Sequence, residues 1–376
     1  MKVLILSCNT GEGHNYAGKA LQECIRLHGD EADMLDIMQL AGKRVSRLVG
    51  GGYVTIVKHA PRFFQFLYKL GGLVSSSHRK SPVYYANALL AKPLKRYLEE
   101  HDYDVIATPH LFPAETLTYM KHKKMLAHKV VAVETDYTCI PFWEETDCDY
   151  YVIPHKELKE EFTARGLPEH RLKPYGIPVR QAFSNPRVPK AARQICNIPD
   201  DAHVYLIISG SMGFGKIQLF VAELLRRIQP DEYIIVICGT NKKLYCILKR
   251  EFGRASNVRI VGYTEHIAAY MDASDVLFTK PGGLTTTEAA VKGVPLVHTT
   301  PIPGCETRNR EFFLARGLSV TSDKFYGQIA AGQSLLRDPR RREAMRASQA
   351  SVIPGNAAFR TYKLLRRICR KSGGEV

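Results

Sequence analysis

The sequence contains no apolar run approaching the length needed to cross a bilayer. Its opening, Met1-Lys-Val-Leu-Ile-Leu-Ser7, is too short for a signal-peptide core and runs straight into a glycine loop. It therefore reads as a first strand, and the protein is expected in the cytoplasm. The nine cysteines (Cys8, Cys24, Cys139, Cys148, Cys196, Cys238, Cys246, Cys305 and Cys369) include no Cys-x-x-Cys. That argues against a zinc knuckle or a dithiol redox centre and for packed, reduced thiols. Acidic residues are in short supply: 37 Asp plus Glu face 53 Lys plus Arg, a net charge of +16. Such an excess points to an anionic partner: nucleic acid, an anionic membrane or a phosphorylated ligand.

The shortage is sharpest at residues 43–80, which hold no Asp or Glu at all. Lys58, Arg62 and Lys69 there alternate with Phe63, Phe64, Phe66, Leu67 and Tyr68. Cations among aromatic and aliphatic side chains suit an interfacial segment on an anionic membrane. A core helix with a solvated basic face and a single-strand nucleic-acid surface are the other readings.

What remains is ordinary for a soluble globular protein, with 45% hydrophobic and 24% charged residues. The 376 residues suffice for two domains with separate cores. Each half repeats one pattern of strand, glycine turn and helix. In the first, residues 2–7 lead into Asn9-Thr-Gly-Glu-Gly-His14 and a helix over residues 15–27. The dinucleotide fingerprint fails because Tyr16 holds the third glycine position. His14 and Asp136 each follow a predicted strand, where open α/β sheets bind ligands. Residues 181–197, with Asn185-Pro186, Pro189 and Pro199 close by, read as a linker. Beyond it, the strand at residues 204–208 meets Ser209-Gly-Ser-Met-Gly-Phe-Gly-Lys216. This matches G-x-x-x-x-G-K, but Ile217 replaces the Ser or Thr that would hold magnesium, which argues against an ATPase loop.

The most informative stretch runs from Val276 to Val297. A short apolar strand breaks at Pro281-Gly282-Gly283, and a helix starts at Leu284. Free amides and the positive end of the helix dipole suit a phosphate there, and Gly282 and Gly283 let it approach. Thr285, Thr286 and Thr287 add hydroxyls. Glu288, one turn in, is placed to accept hydrogen bonds from sugar hydroxyls. Asp147-Cys-Asp149 has the form of a D-x-D metal site, but the apolar run Tyr150-Tyr-Val-Ile153 follows it, which favours a strand start.

Taken together, Gly11-Glu-Gly-His14, Thr135-Asp136-Tyr, Gly176-Ile-Pro-Val-Arg180, Gly262-Tyr263, Lys280-Pro-Gly-Gly-Leu-Thr-x-x-Glu288 and Pro303-Gly-x-Glu306-x-x-Asn309 carry a resemblance across nearly the whole chain. The sequence resembles the diacylglycerol glycosyltransferases: monogalactosyldiacylglycerol synthases and processive diacylglycerol glucosyltransferases, relatives of the lipid-linked GlcNAc transferase of peptidoglycan synthesis. The resemblance implies a GT-B fold: α/β, two Rossmann-like domains facing an inter-domain cleft. The expected boundaries are 1–180 for the acceptor and membrane domain, 181–197 for the linker and 198–355 for the UDP-sugar domain. A C-terminal helix over 356–376 is expected to pack back on the first domain. It further implies a UDP-hexose donor, a diacylglycerol acceptor, no essential metal or cofactor, and no nucleic-acid partner.

Site residues follow by the same resemblance. His14 is the expected base and Asp136 its orienting or relay group. Ser209, Gly210, Ser211, Met212 and Gly213, with Pro281, Gly282, Gly283, Leu284 and Thr285, face the diphosphate. Tyr263 and Thr264 lie near the uracil and Glu288 near the ribose. Cys305, Glu306 and Asn309 are at the sugar, and Gly13 and Arg180 line the cleft. Cys305 stands where the family usually has Gln, and a thiol cannot make an amide's paired hydrogen bonds. Peripheral attachment to the inner face of the cell membrane is expected through Lys58, Arg62, Phe63, Phe64, Phe66 and Lys69. Transfer to a polyprenyl-type lipid acceptor, or a non-catalytic nucleotide-sugar sensor, are the alternatives.

Overall fold

A computed structural model describes residues 1–9, 11–42, 80–185, 188–209 and 216–372. The chain divides into two units: Met1–Gln181 with Pro303–Cys305 and Gly355–Val376, and Ala182–Ile302 with Glu306–Pro354.

Among the described residues the first unit runs β1 (Lys2–Ser7), α1 (Glu12–Leu27), β2 (Glu31–Asp36), α2 (Pro82–Ala88), α3 (Ala91–Glu100), β3 (Val105–Thr108), α4 (Leu111–His122), β4 (Lys129–Val133), β5 (Tyr150–Ile153), α5 (Lys159–Ala164) and β6 (Leu172–Pro174). The strands form one parallel sheet in the order β2-β1-β3-β4-β5-β6. Central strands of such sheets are covered on both faces, which is why Val3–Leu6 and Val105–Ala107 are uninterrupted apolar runs with no exposed surface. The chain goes from β1 outward to β2 and then returns to β3 on the other side of β1. That reversal opens a crevice at the carboxyl ends of β1 and β3.

The second unit repeats the logic. It runs α6 (Gln181–Ser184), α7 (Pro189–Cys196), β7 (His203–Ile208), α8 (Ile217–Leu225), β8 (Glu232–Ile237), α9 (Lys242–Phe252), β9 (Val258–Val261), α10 (Ile267–Asp272), β10 (Val276–Thr279), α11 (Gly283–Lys292), β11 (Leu296–His298), α12 (Cys305–Ala315), β12 (Val320–Thr321), α13 (Phe325–Arg337) and α14 (Pro339–Val352). Its parallel sheet has the order β12-β11-β10-β7-β8-β9, so the reversal falls between β7 and β10. Gly332 on α13 lies so close to Phe278 on β10 that a Cβ would overlap the ring.

The last helix, α15 (Ala357–Ser372), returns to the first unit. Its Tyr362, Leu364, Leu365 and Ile368 join Val3, Ile5, Leu21 and Ile25 in one core. The Tyr362 hydroxyl donates to Asp30 at 2.9 Å.

Several local readings change. The helix at the first glycine turn starts at Glu12, so Gly13 and His14 are in its first turn. The segment 181–197 carries α6 and α7, which bury Phe183, Ala192 and Cys196. Residues 58–69 lie outside the described residues, as do Gly210, Ser211, Met212 and Gly213.

Candidate active site

In the first unit, three strand ends converge on His14. Gly11 leads into α1 in an extended conformation, and the next turn carries His14 beyond the end of β1. Its Nδ1 lies 3.0 Å from the carbonyl of Pro109, which follows β3, and 2.8 Å from Oγ1 of Thr135, which follows β4. A carbonyl only accepts, so Nδ1 carries the proton in that bond and Nε2 is the basic nitrogen. The ring meets that of His110 edge to face, with centroids 4.5 Å apart.

His110 is itself fixed, because its Nδ1 accepts the Phe112 amide at 3.0 Å. Burial holds His110 well below the usual histidine range, and the neighbouring His14 pushes in the same direction. Burial also lowers His14; the negative charge of Asp136 and the Pro109 carbonyl oppose that in part. The positive end of α1 disfavours an imidazolium as well. Asp136, half-buried, acts on the ring through charge, while the Nδ1 hydrogen bonds go to Pro109 and Thr135. Arg180 lies over the Tyr16 ring, 5.7 Å from its centroid, so the tyrosine in the third glycine position packs against a candidate site residue.

In the second unit, β10 ends at Thr279 and α11 begins at Gly283 with Gly282 as its cap. The cap is a glycine, which has no side chain to take up the first-turn amides. Asn309 on α12 donates from Nδ2 to the Pro281 carbonyl at 3.0 Å, pinning the turn. Glu306, one turn earlier on α12, accepts from Lys280 Nζ at 2.9 Å and from the Ile302 amide at 2.7 Å. A Cβ on Gly282 would lie 4.0 Å from Glu306 Oε1. The structure thus brings Gly282, Gly283, Glu306 and Asn309 together, with Leu284 and Thr285 in the first turn of α11 and Cys305 at the start of α12.

The three threonines differ from the reading above. The Thr287 hydroxyl donates back to the Gly283 carbonyl at 2.6 Å, and Thr286 Oγ1 lies 3.4 Å from His298 Nε2. Both are fully buried, which leaves Thr285, half-buried, as the hydroxyl nearest solvent. Glu288 is buried one turn further along. Ser209, also buried, donates its hydroxyl to the Ile237 carbonyl at 3.2 Å. Tyr263 follows β9 and is 57% exposed, an aromatic face open to stacking. Thr264 accepts the His266 amide at 3.1 Å.

The D-x-D pair is structural. Asp147 binds Arg171 at 2.5 Å and also faces Lys121, while Asp149 binds Lys129 at 3.0 Å. Its carboxylates are neutralised by fixed cations. Among the described residues no group of three or more His, Cys, Asp or Glu side chains is placed to hold a metal ion.

Sequence reasoning did not single out the contacts that the Pro109 carbonyl, the Thr135 side chain and His110 make with His14, or that of Lys280 with Glu306. A histidine two residues past a strand end was the one signal for His110.

Both units match known proteins. Residues 14–179 match the family model described as monogalactosyldiacylglycerol (MGDG) synthase, and residues 204–303 match the glycosyltransferase family 28 C-terminal domain. A processive diacylglycerol beta-glucosyltransferase of Staphylococcus saprophyticus is 27% identical over 96% of this chain and 91% of its own length. One from Staphylococcus carnosus is 29% identical over 68% of this chain, a match that spans 64% of that protein. MurG of Acinetobacter baumannii shares the fold, with a TM-score of 0.63 and 16% identity over 97% of this chain and 99% of that one. The two Rossmann-like units are those of the GT-B fold, and along both of them the chain is similar to the diacylglycerol glycosyltransferases.

Proposed function

We propose that this protein is an inverting glycosyltransferase that moves a hexose, glucose or galactose, from a UDP-sugar to the hydroxyl of membrane diacylglycerol, making a glycoglycerolipid. The observation that carries the reading is the His14 cluster. It is a half-buried imidazole whose Nδ1 proton is committed to a backbone carbonyl, which leaves Nε2 as a base.

In the proposed reaction, Nε2 of His14 takes the proton from the acceptor hydroxyl as its oxygen attacks the anomeric carbon opposite the UDP. Asp136 stabilises the imidazolium that forms, and Pro109 and Thr135 keep the ring in place. UDP leaves with increased negative charge on its diphosphate, which the α11 N-terminus at Gly282-Gly283 is preorganised to accept. Glu306 and Asn309 hold the hexose, Glu288 the ribose, and Tyr263 and Thr264 the uracil. The Ser209–Gly213 segment, Gly13 and Arg180 complete the donor contacts. No step is assigned to a metal or cofactor. The acceptor never leaves the bilayer, and among the described residues no helix is long and apolar enough to cross it. The reading therefore includes reversible attachment to the inner, anionic face of the cell membrane through residues 58–69.

Calorimetry on the full chain tests the donor assignment. UDP is expected to bind and ATP not to bind, because the sequence that matches G-x-x-x-x-G-K is followed by Ile217, where an ATPase motif carries a magnesium-binding hydroxyl. Binding of ATP without UDP overturns it.

A further inference from the structure

The Lys280–Glu306 ion pair raises a question of charge. It rests on the donor reading above and concerns how that site accepts a diphosphate. Both side chains are only 11% exposed, and the pair stands beside the Gly282 cap. A carboxylate there repels an incoming diphosphate, yet a sugar site uses one to receive hydroxyl protons. The geometry lets one residue serve both needs. Glu306 is held at both oxygens, Oε1 by the Lys280 ammonium and Oε2 by the Ile302 amide. Each carboxylate oxygen has a second acceptor site, so two remain for hydroxyls. Lys280 immediately precedes Pro281-Gly282-Gly283, and its ammonium is a compact charge on a flexible four-carbon stem.

We propose that Lys280 is a further donor-binding residue: it neutralises Glu306 in the empty site and is shared with the diphosphate when the nucleotide enters, leaving Glu306 oriented toward the hexose. The ion pair thereby links nucleotide binding to sugar recognition. A bare UDP competes with Glu306 for the lysine. A UDP-hexose makes the same demand but returns hydroxyl hydrogen bonds to Glu306, so the site favours the complete donor over the product.

The link predicts opposite signs for the two partners. Lys280→Met leaves Glu306 uncompensated and weakens UDP binding by roughly 10- to 100-fold, the scale of a lost charge-assisted hydrogen bond. Glu306→Gln frees Lys280, so UDP binds at least as tightly as to wild type, while the preference for UDP-glucose over UDP disappears. The double variant binds UDP more tightly than Lys280→Met alone, and Lys280→Arg retains most of the wild-type affinity.

Titration calorimetry of the full chain with UDP and with UDP-glucose reads all of these, and thermal melts establish that each variant is folded. A folded Lys280→Met that binds UDP as wild type does overturns the inference and leaves the donor reading intact. If Lys280→Met does not fold, Glu306→Gln decides: weaker binding of UDP and UDP-glucose by equal factors overturns the inference, and an unweakened UDP with lost discrimination supports it. Wild-type protein that binds no UDP overturns the donor reading and this inference together.

Discussion

His14→Ala lowers turnover roughly 10²–10⁴-fold, the usual contribution of a general base, and leaves UDP affinity unchanged. The separation follows from position. His14 stands at the strand ends of the first unit, whereas the candidate diphosphate turn belongs to the second. The pH profile carries the same assignment. A base works in its deprotonated form, so activity is full above the His14 pKa and is lost as pH falls through it. Burial lowers that pKa from 6.5, more than Asp136 and the Pro109 carbonyl raise it. The acid limb of kcat/KM is therefore expected to have its midpoint below pH 6.5 and to vanish from the residual activity of His14→Ala. Wild-type turnover in that variant removes His14 from the mechanism, and a wild-type midpoint above 6.5 contradicts its environment.

Charge reversal of the basic segment produces the second large effect. Each basic residue near an anionic surface contributes about 1 kcal/mol, and salt screens that attraction. Losing Lys58, Arg62 and Lys69 together removes about 3 kcal/mol, on the order of a hundredfold in vesicle affinity. Replacing them with Glu adds repulsion. Wild-type protein is expected to sediment with phosphatidylglycerol vesicles at low salt and poorly with neutral ones. The triple Glu variant stays in the supernatant and binds UDP normally. If it sediments like wild type, the segment is core and the membrane face lies elsewhere.

How much the sequence reveals depends on how strongly each residue's surroundings constrain it. β1, β4, β7 and β10 are legible because a parallel sheet buried on both faces demands unbroken apolar runs, and Val3–Leu6 and Val276–Phe278 satisfy that demand. β2 escapes the same reading. It is the edge strand, and Glu31, Asp33 and Asp36 break its apolar pattern. Helix starts are shifted where glycines precede them: Gly11-Glu-Gly13 reads as loop, yet the turn of α1 begins inside it. His14 is legible as a lone histidine past a strand. Its tautomer is not, because Pro109 and Thr135 reach it from 95 and 121 residues away. The threonine run shows the same limit. Composition predicts three donors for a ligand, but local backbone and His298 contacts absorb two of them. Lys280 and Glu306, 26 residues apart, each belong to a recognisable motif, and only the fold shows them as a pair.

The central claim is hexose transfer to a diacylglycerol hydroxyl. Its most direct test is incubation of the purified full chain with mixed micelles of diacylglycerol and phosphatidylglycerol and, in turn, UDP-glucose and UDP-galactose. Lipid chromatography then identifies any product, and NMR reads its anomeric configuration. The account predicts a new glycolipid from at least one donor, β-linked because attack opposite UDP inverts the α-linked sugar, and absent when His14→Ala replaces wild type over the same time. Hexose appearing only on a polyprenyl-type acceptor, or an α-linked product, or UDP-sugar bound with no lipid modified, would contradict it.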